Sequence, residues 1–125
     1  GPIFSPAFYK DHIIPVEKKV ISQCRIPVIT HSDGNMTDLL DIWLELGQDG
    51  IHPLQPDVMD ICLVKKKYGH NVTLTGIIFM DDLVHKSPED IEEQVKTRIQ
   101  EIGKGGRYII SSSNSLTDDM KTESY

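Results

Sequence analysis

Four short clusters in this chain hold the residue types that do chemistry. His31-Ser32-Asp33-Gly34-Asn35 is the richest. A histidine and an aspartate two apart, straight after an apolar run, can point to one side of a turn and share a metal ion or a proton. Gly34 permits a tight turn, and the first amides of a following helix can hold an anion. The competing assignment is structural: Asp33 or Asn35 caps the helix that starts near Thr37, and His31 is a solvated loop residue. The second cluster, His52-Pro53-Leu54-Gln55-Pro56-Asp57, offers His52 and Gln55 either as polar groups lining a site or as hydrogen-bonded loop residues, with Asp57 as a helix N-cap. The third is Gly76-Ile77-Ile78-Phe79-Met80-Asp81. The fourth, Ser111-Ser112-Ser113-Asn114-Ser115, lacks the Gly-x-Ser-x-Gly elbow of a nucleophilic serine. Ser112, Ser113 and Asn114 therefore read as small polar groups lining a mouth or binding phosphate or carboxylate.

Each cluster ends an apolar run. Residues 26–31, 50–54, 71–78 and 107–112 are brief, β-branched or apolar stretches bounded by Gly, Pro or Asn, the pattern of strands covered on both faces. Helical patterns lie between them. Residues 37–46 carry Leu39, Leu40, Trp43, Leu44 and Leu46, with Gly47 as a C-cap. Residues 57–68 end in Lys65-Lys66-Lys67 and Gly69, a basic turn suited to the helix dipole and read as solvated. Ser87-Pro88-Glu89-Asp90 opens a helix with Ser at the N-cap and an approximate capping box, and Gly103 stops it. Residues 7–24 form a helix behind Ser5-Pro6, interrupted at Pro15. Gly103-Lys104-Gly105-Gly106 precedes a strand, so it is a helix-to-strand turn and no P-loop. His12 and His85 read as surface histidines.

Strands alternating with helices imply a parallel sheet, and in such folds function collects at the C-terminal ends of the strands. That is where all four clusters stand. Four parallel strands are half of an eight-stranded barrel of roughly 250 residues. The chain opens on a helix start and closes, over residues 117–125, on a loop leading toward another helix. The expectation is an α/β fold, the C-terminal half of a (β/α)8 TIM barrel, with residues 1–125 forming a single partial domain. Half a barrel leaves unpaired edges, so a homodimer or docking against the missing half is expected.

The 125 residues suffice for one domain. Thirteen Lys and Arg against 19 Asp and Glu give a net charge of -6, which argues against nucleic acid and anionic membrane as partners. No apolar run approaches a membrane span of ~20 residues, and no signal-peptide pattern opens the chain. Cys24 and Cys62 form no CxxC. The composition is that of a soluble, reduced, cytoplasmic protein.

An ordered set of segments carries a further resemblance. It runs from Phe4-Ser5-Pro6 and Pro15 through Val28-Ile29-Thr30-His31-Ser32-Asp33-Gly34-Asn35 and Gly50-Ile51-His52-Pro53-Leu54-Gln55-Pro56. It continues with Met59-Asp60-Ile61, Lys67-Tyr68-Gly69 and Leu74-Thr75-Gly76-Ile77, and ends with Gly106-Arg107-Tyr108-Ile109-Ile110 and Asp118-Asp119-Met120. Over nearly all of its length the chain resembles the C-terminal half of the uroporphyrinogen decarboxylase superfamily. The superfamily is built on a TIM barrel. It includes cofactor-independent uroporphyrinogen decarboxylases of tetrapyrrole biosynthesis and zinc-dependent methyltransferases that move a methyl group between a corrinoid protein and a thiol such as coenzyme M.

The departures from that pattern are specific. The methyltransferases bind zinc through a His-x-Cys after this strand and a later Cys; here the pair is His31 and Asp33, and the later position falls near Ser112 or Ser113. A histidine that helps hold the tetrapyrrole in the decarboxylases has Asn114 in its place, and Phe79 stands where an acidic residue is usual. The decarboxylase's essential aspartate belongs to the N-terminal half. The resemblance implies a divergent metal-dependent, corrinoid-linked methyltransferase, with a tetrapyrrole decarboxylase or a non-catalytic binding remnant as alternatives. His31 and Asp33 are the catalytic candidates and the metal-ligand candidates for zinc; a decarboxylase would need no cofactor. Asn35, His52, Gln55, Ser112 and Asn114 are the candidates for binding a small-molecule, tetrapyrrole or corrinoid substrate. The intact parent is expected to be an enzyme and this chain alone to be inactive.

Overall fold

The computed structural model describes residues 3–124. Tyr125, the last residue of the expected loop at 117–125, lies outside them. The sheet contains β1 (Ile29–His31), β2 (Gly50–Leu54), β3 (Thr73–Ile78) and β4 (Tyr108–Ser112), side by side in chain order and all parallel. The strand count, order and direction match the expected α/β half-barrel. β1 is shorter than the apolar run 26–31 because Pro27 has no N–H for a ladder; Val28 N–H instead bonds the Asp49 carboxylate at 2.8 Å. The middle strands β2 and β3 are buried on both faces. The outer two are covered on one, leaving Ile29 and Ile109 half exposed.

The helices follow their punctuation, with three corrections. Residues 7–24 were expected as one interrupted helix. They form α1 (Pro6–Phe8), a π turn (Tyr9–Ile13) and α2 (Ile14–Ile21). Pro15 cannot donate to the carbonyl four residues back, and its ring would clash there. The wider turn takes up the misfit, with Ile14 N–H reaching back to the Tyr9 carbonyl. Residues 37–46 split into a 3-10 turn (Thr37–Leu39), α3 (Leu40–Trp43) and a second 3-10 turn (Leu44–Leu46), closed by Gly47 at φ 81°. Adjacent Leu39 and Leu40 are both fully buried.

α4 (Ile61–Tyr68) is capped by Asp60, whose side chain accepts the Leu63 N–H at 2.9 Å. Asp57 is therefore not the cap. It lies in a turn in which the Val58 and Met59 amides bond the Gln55 carbonyl. α5 (Met80–His85) has no counterpart among the sequence expectations. α6 (Pro88–Ile102) carries the full capping box between Ser87 and Asp90. A short 3-10 turn (Thr122–Ser124) ends the described chain.

The main core sits between the sheet and these helices. Leu39, Leu40, Trp43 and Leu46 meet Ile51 and Leu54 of β2, Leu74 and Ile77 of β3, and Ile102 of α6. A smaller cluster, Ile78, Leu83 and Ile91, is flanked by Val95 and Ile110 under α5 and α6. Gly76 is required where it stands. Its φ is +98°, and a Cβ would come within 3.2 Å of the Pro53 Cβ on the adjacent strand. Ile77 follows at φ +86°, a conformation costly for a β-branched residue and held here by complete burial.

Two outcomes are expected. Asp60→Ala should lower stability by about 1 kcal/mol through loss of the cap, while Asp57→Ala should stay within about 0.5 kcal/mol of wild type; urea unfolding midpoints read both. Tyr108 packs on the core with its hydroxyl unpartnered, and burial pushes its pKa up to about 12. The folded state thus keeps a proton that the unfolded state releases. This contribution to stability is complete below about pH 10, the ordinary tyrosine value, and is lost as pH rises toward the raised one. Thermal melts across that alkaline window should show a smaller loss for Tyr108→Phe than for wild type.

Candidate functional site

Because all four strands run the same way, their C-terminal ends and the loops that follow share one end of the sheet. The β1–β2 register sets His31 directly beside His52. Their ring centroids are 4.8 Å apart, and Nδ1 of one lies 2.8 Å from Nδ1 of the other. His52 Nε2 reaches across to the Ser112 carbonyl at 3.3 Å. His31 Nε2 stands 3.4 Å from Asp33 Oδ1. Asn114 Nδ2 donates to the same Asp33 oxygen at 3.2 Å, joining the loops after β1 and β4. Ser112 Oγ donates to the Asn114 carbonyl at 2.8 Å and fixes that loop.

Five of the seven candidate residues, His31, Asp33, His52, Ser112 and Asn114, thus form one connected polar network. Gln55 stands beside it as a support: its side-chain oxygen accepts the Gly34 N–H and holds the loop that carries Asp33. Asn35 stands apart from the network: its side-chain oxygen accepts the Thr37 N–H at 3.0 Å in a local turn, and the N-cap position of the following 3-10 turn is Met36, not the expected Asp33 or Asn35. Ser113 is buried with its hydroxyl unpartnered. Asp81 pairs with His85 at 3.1 Å, within α5. The carbonyl of Ser112, which anchors the histidines, was missed by sequence reasoning. A backbone oxygen leaves no trace in residue type, and only the placement of β4 reveals it.

The partners assign the protons. A carbonyl only accepts, so His52 Nε2 carries hydrogen. In neutral His52, Nδ1 is then an acceptor, which makes His31 Nδ1 the donor of the 2.8 Å bond. The remaining nitrogen, His31 Nε2, lies beside the Asp33 carboxylate, which only accepts: the neutral pair of rings leaves this nitrogen bare, and a third proton on the pair occupies it. A proton placed on it is bonded at once by the carboxylate. The side chains of His31 and Asp33 are about half exposed, open to a substrate.

Zinc fits only in part. The 3.4 Å between His31 Nε2 and Asp33 Oδ1 is close to the spacing of two neighbouring corners of a tetrahedral site with ligand bonds of about 2.0–2.1 Å. Such a site needs a third and usually a fourth protein ligand. Among the described residues no group of three or more His, Cys, Asp and Glu side chains is arranged to hold a metal ion. Both cysteines are exposed and free, and the Ser112 hydroxyl is spent on the Asn114 carbonyl. The described donors do not amount to a resident zinc site.

The family model for uroporphyrinogen decarboxylase (URO-D) matches residues 1–125. The chain belongs to the uroporphyrinogen decarboxylase family. Among the solved structures it resembles is a methyltransferase from Methanosarcina mazei, with a TM-score of 0.82 and 16% sequence identity over 97% of this chain. That likeness establishes the fold, a part of a TIM barrel. The chain spans 35% of the length of that structure. No curated protein matches. Among the described residues, no helix of this family member is long and apolar enough to cross a membrane.

The proton assignment is checked by long-range proton–nitrogen NMR of the imidazoles. His52 should appear as the Nε2–H tautomer and His31 should hold a slowly exchanging Nδ1–H, which His52→Ala should release to fast exchange. A His52 carrying its hydrogen on Nδ1 would reverse the assignment.

Proposed function

We propose that this chain supplies one half of the substrate mouth of a divergent methyltransferase in the uroporphyrinogen decarboxylase family, taking its methyl group from a corrinoid-type carrier. The observation that carries the reading is the anchored His31 ring, with its Nε2 3.4 Å from the Asp33 carboxylate at the mouth. A protic nucleophile hydrogen-bonded to His31 Nε2 alongside the Asp33 carboxylate loses its proton to that nitrogen, and Asp33 then holds the imidazolium. The freed electron pair forms the new bond to the methyl carbon. The carrier–methyl bond breaks with its electrons staying on the carrier. The His31-Ser32-Asp33 spacing supports the assignment, as does the methyltransferase among the structural neighbours. Ser112 and Asn114 are bonded within the chain, to the Asn114 carbonyl and to Asp33, and hold the loops around the mouth. The other half of the mouth comes from the complementary barrel half or from a second copy of this chain.

The lack of thiolates favours a second reading, decarboxylation of an acetate-bearing tetrapyrrole. In that reaction the bond to the carboxylate carbon breaks, carbon dioxide leaves, the electron pair remains on the substrate carbon, and the His31 imidazolium supplies its Nε2 proton there. No cofactor enters. Absorbance titration of the protein with cobalamin and with a uroporphyrin separates the two. Perturbed corrinoid bands are the expected result, a shifted porphyrin band would install the second reading, and neither would leave the chain a binding remnant. In the intact parent enzyme, His31→Ala should reduce turnover by roughly 10²–10⁴-fold, the range of a lost general acid–base group.

A further inference from the structure

The opposite end of the sheet carries a second concentration of charge. Lys65 and Lys66 at the end of α4, Gly69 and His70 before β3, and Lys104, Gly105 and Arg107 before β4 surround a groove of about 340 Å³. No acidic side chain lines it, in a chain whose net charge is -6. The three-lysine run of α4 divides. Lys67 turns to Asp41 at 3.0 Å, while Lys65, Lys66, Lys104 and Arg107 form no ion pair among the described residues.

The groove is built, rather than being a chance gathering of surface cations. The Lys65 ammonium is fastened to the Gly106 carbonyl at 2.5 Å, and its partial burial lowers its pKa from the ordinary lysine value. The Arg107 guanidinium is held by the Asn71 carbonyl at 3.4 Å. Three consecutive residues, Gly105, Gly106 and Arg107, take positive φ of 83°, 76° and 51° and fold the loop back on itself. A Cβ on Gly105 would meet nothing within 4 Å, so the wall there is open to a ligand. Gly69 has no such room, since a Cβ would lie 2.5 Å from Lys65 Cδ, and its bare backbone lets Lys65 lie across it toward the loop.

We propose that this groove binds a small phosphate-bearing anion, at a site separate from the histidine mouth. Lysine and arginine donors make the strongest hydrogen bonds with doubly charged oxyanions. The cradle is short and concave, and an extended polyanion would meet the acidic remainder of the chain. This inference stands whether or not the proposed methyl transfer does.

The test is a titration of the chain with inorganic phosphate and then pyrophosphate at constant ionic strength, followed by backbone amide NMR. Saturating shifts are expected at Lys66, Gly69, His70, Lys104, Gly105 and Arg107, with the His31 and His52 signals unmoved. The exposed double variant Lys66→Gln/Lys104→Gln, checked for an unchanged melt, should bind at least about tenfold more weakly, as loss of two charge-assisted contacts implies. Equal shifts with sodium chloride alone, shifts centred elsewhere, or undiminished binding by the double variant would overturn the proposal. Parallel arms use anionic vesicles containing phosphatidylserine and a short DNA duplex; a response to either without one to free phosphate would also overturn it.

Discussion

The parallel register of β1 on β2 is the constraint on which the site depends. It pairs His31 with His52 on one face of the sheet. Side chains alternate along a strand with a period of two, so a slip of one residue would turn one imidazole to the other face and leave its partner alone. The same register puts Ile29 beside Gly50, where a Cβ would lie only 3.0 Å from the Ile29 side chain. Gly50 therefore lets the two strands close at the end away from the mouth. The polar network at one end of the ladder and the missing side chain at the other are consequences of a single alignment.

The second constraint is the tightness of the β2–β3 contact. The register shifts between Ile51 and Leu54, and Pro53 presses on Gly76. The partly exposed His52 lies within this irregularity, between the buried Ile51 and Leu54. Ile77, in the left-handed region of backbone space, pays the conformational cost of this close approach and recovers it by complete burial.

Much of this was legible in the sequence, for reasons that can be named. β2 matches its apolar run because Gly50 and the Pro-rich segment after Leu54 mark both ends. The Ser87 box and the Gly47 cap are local chemistry, complete within a few residues. The start of α4 was misplaced because Pro56-Asp57 imitates a helix start as well as Asp60 does, and the choice is made by Met59 entering the core. The π turn was invisible, although Pro15 announced some irregularity. The clustering of His31, Asp33, His52 and Asn114 followed from strand polarity alone. The Nδ1–Nδ1 bond and the role of the Ser112 carbonyl did not, since both depend on distances that residue types do not encode.

The contact between Asn114 and Asp33 joins residues 81 positions apart with one exposed hydrogen bond. A free loop of that length costs about 4 kcal/mol to close on the logarithmic rule, several times the ~1 kcal/mol that one such bond returns. The bond exists because three ladders have already brought the outer strands into one sheet. It is thus a late and weak closure resting on an early and strong foundation. In opening fluctuations this bond parts while the ladders beneath it stay paired, so the entrance can breathe at a small fraction of the free energy that unfolding requires.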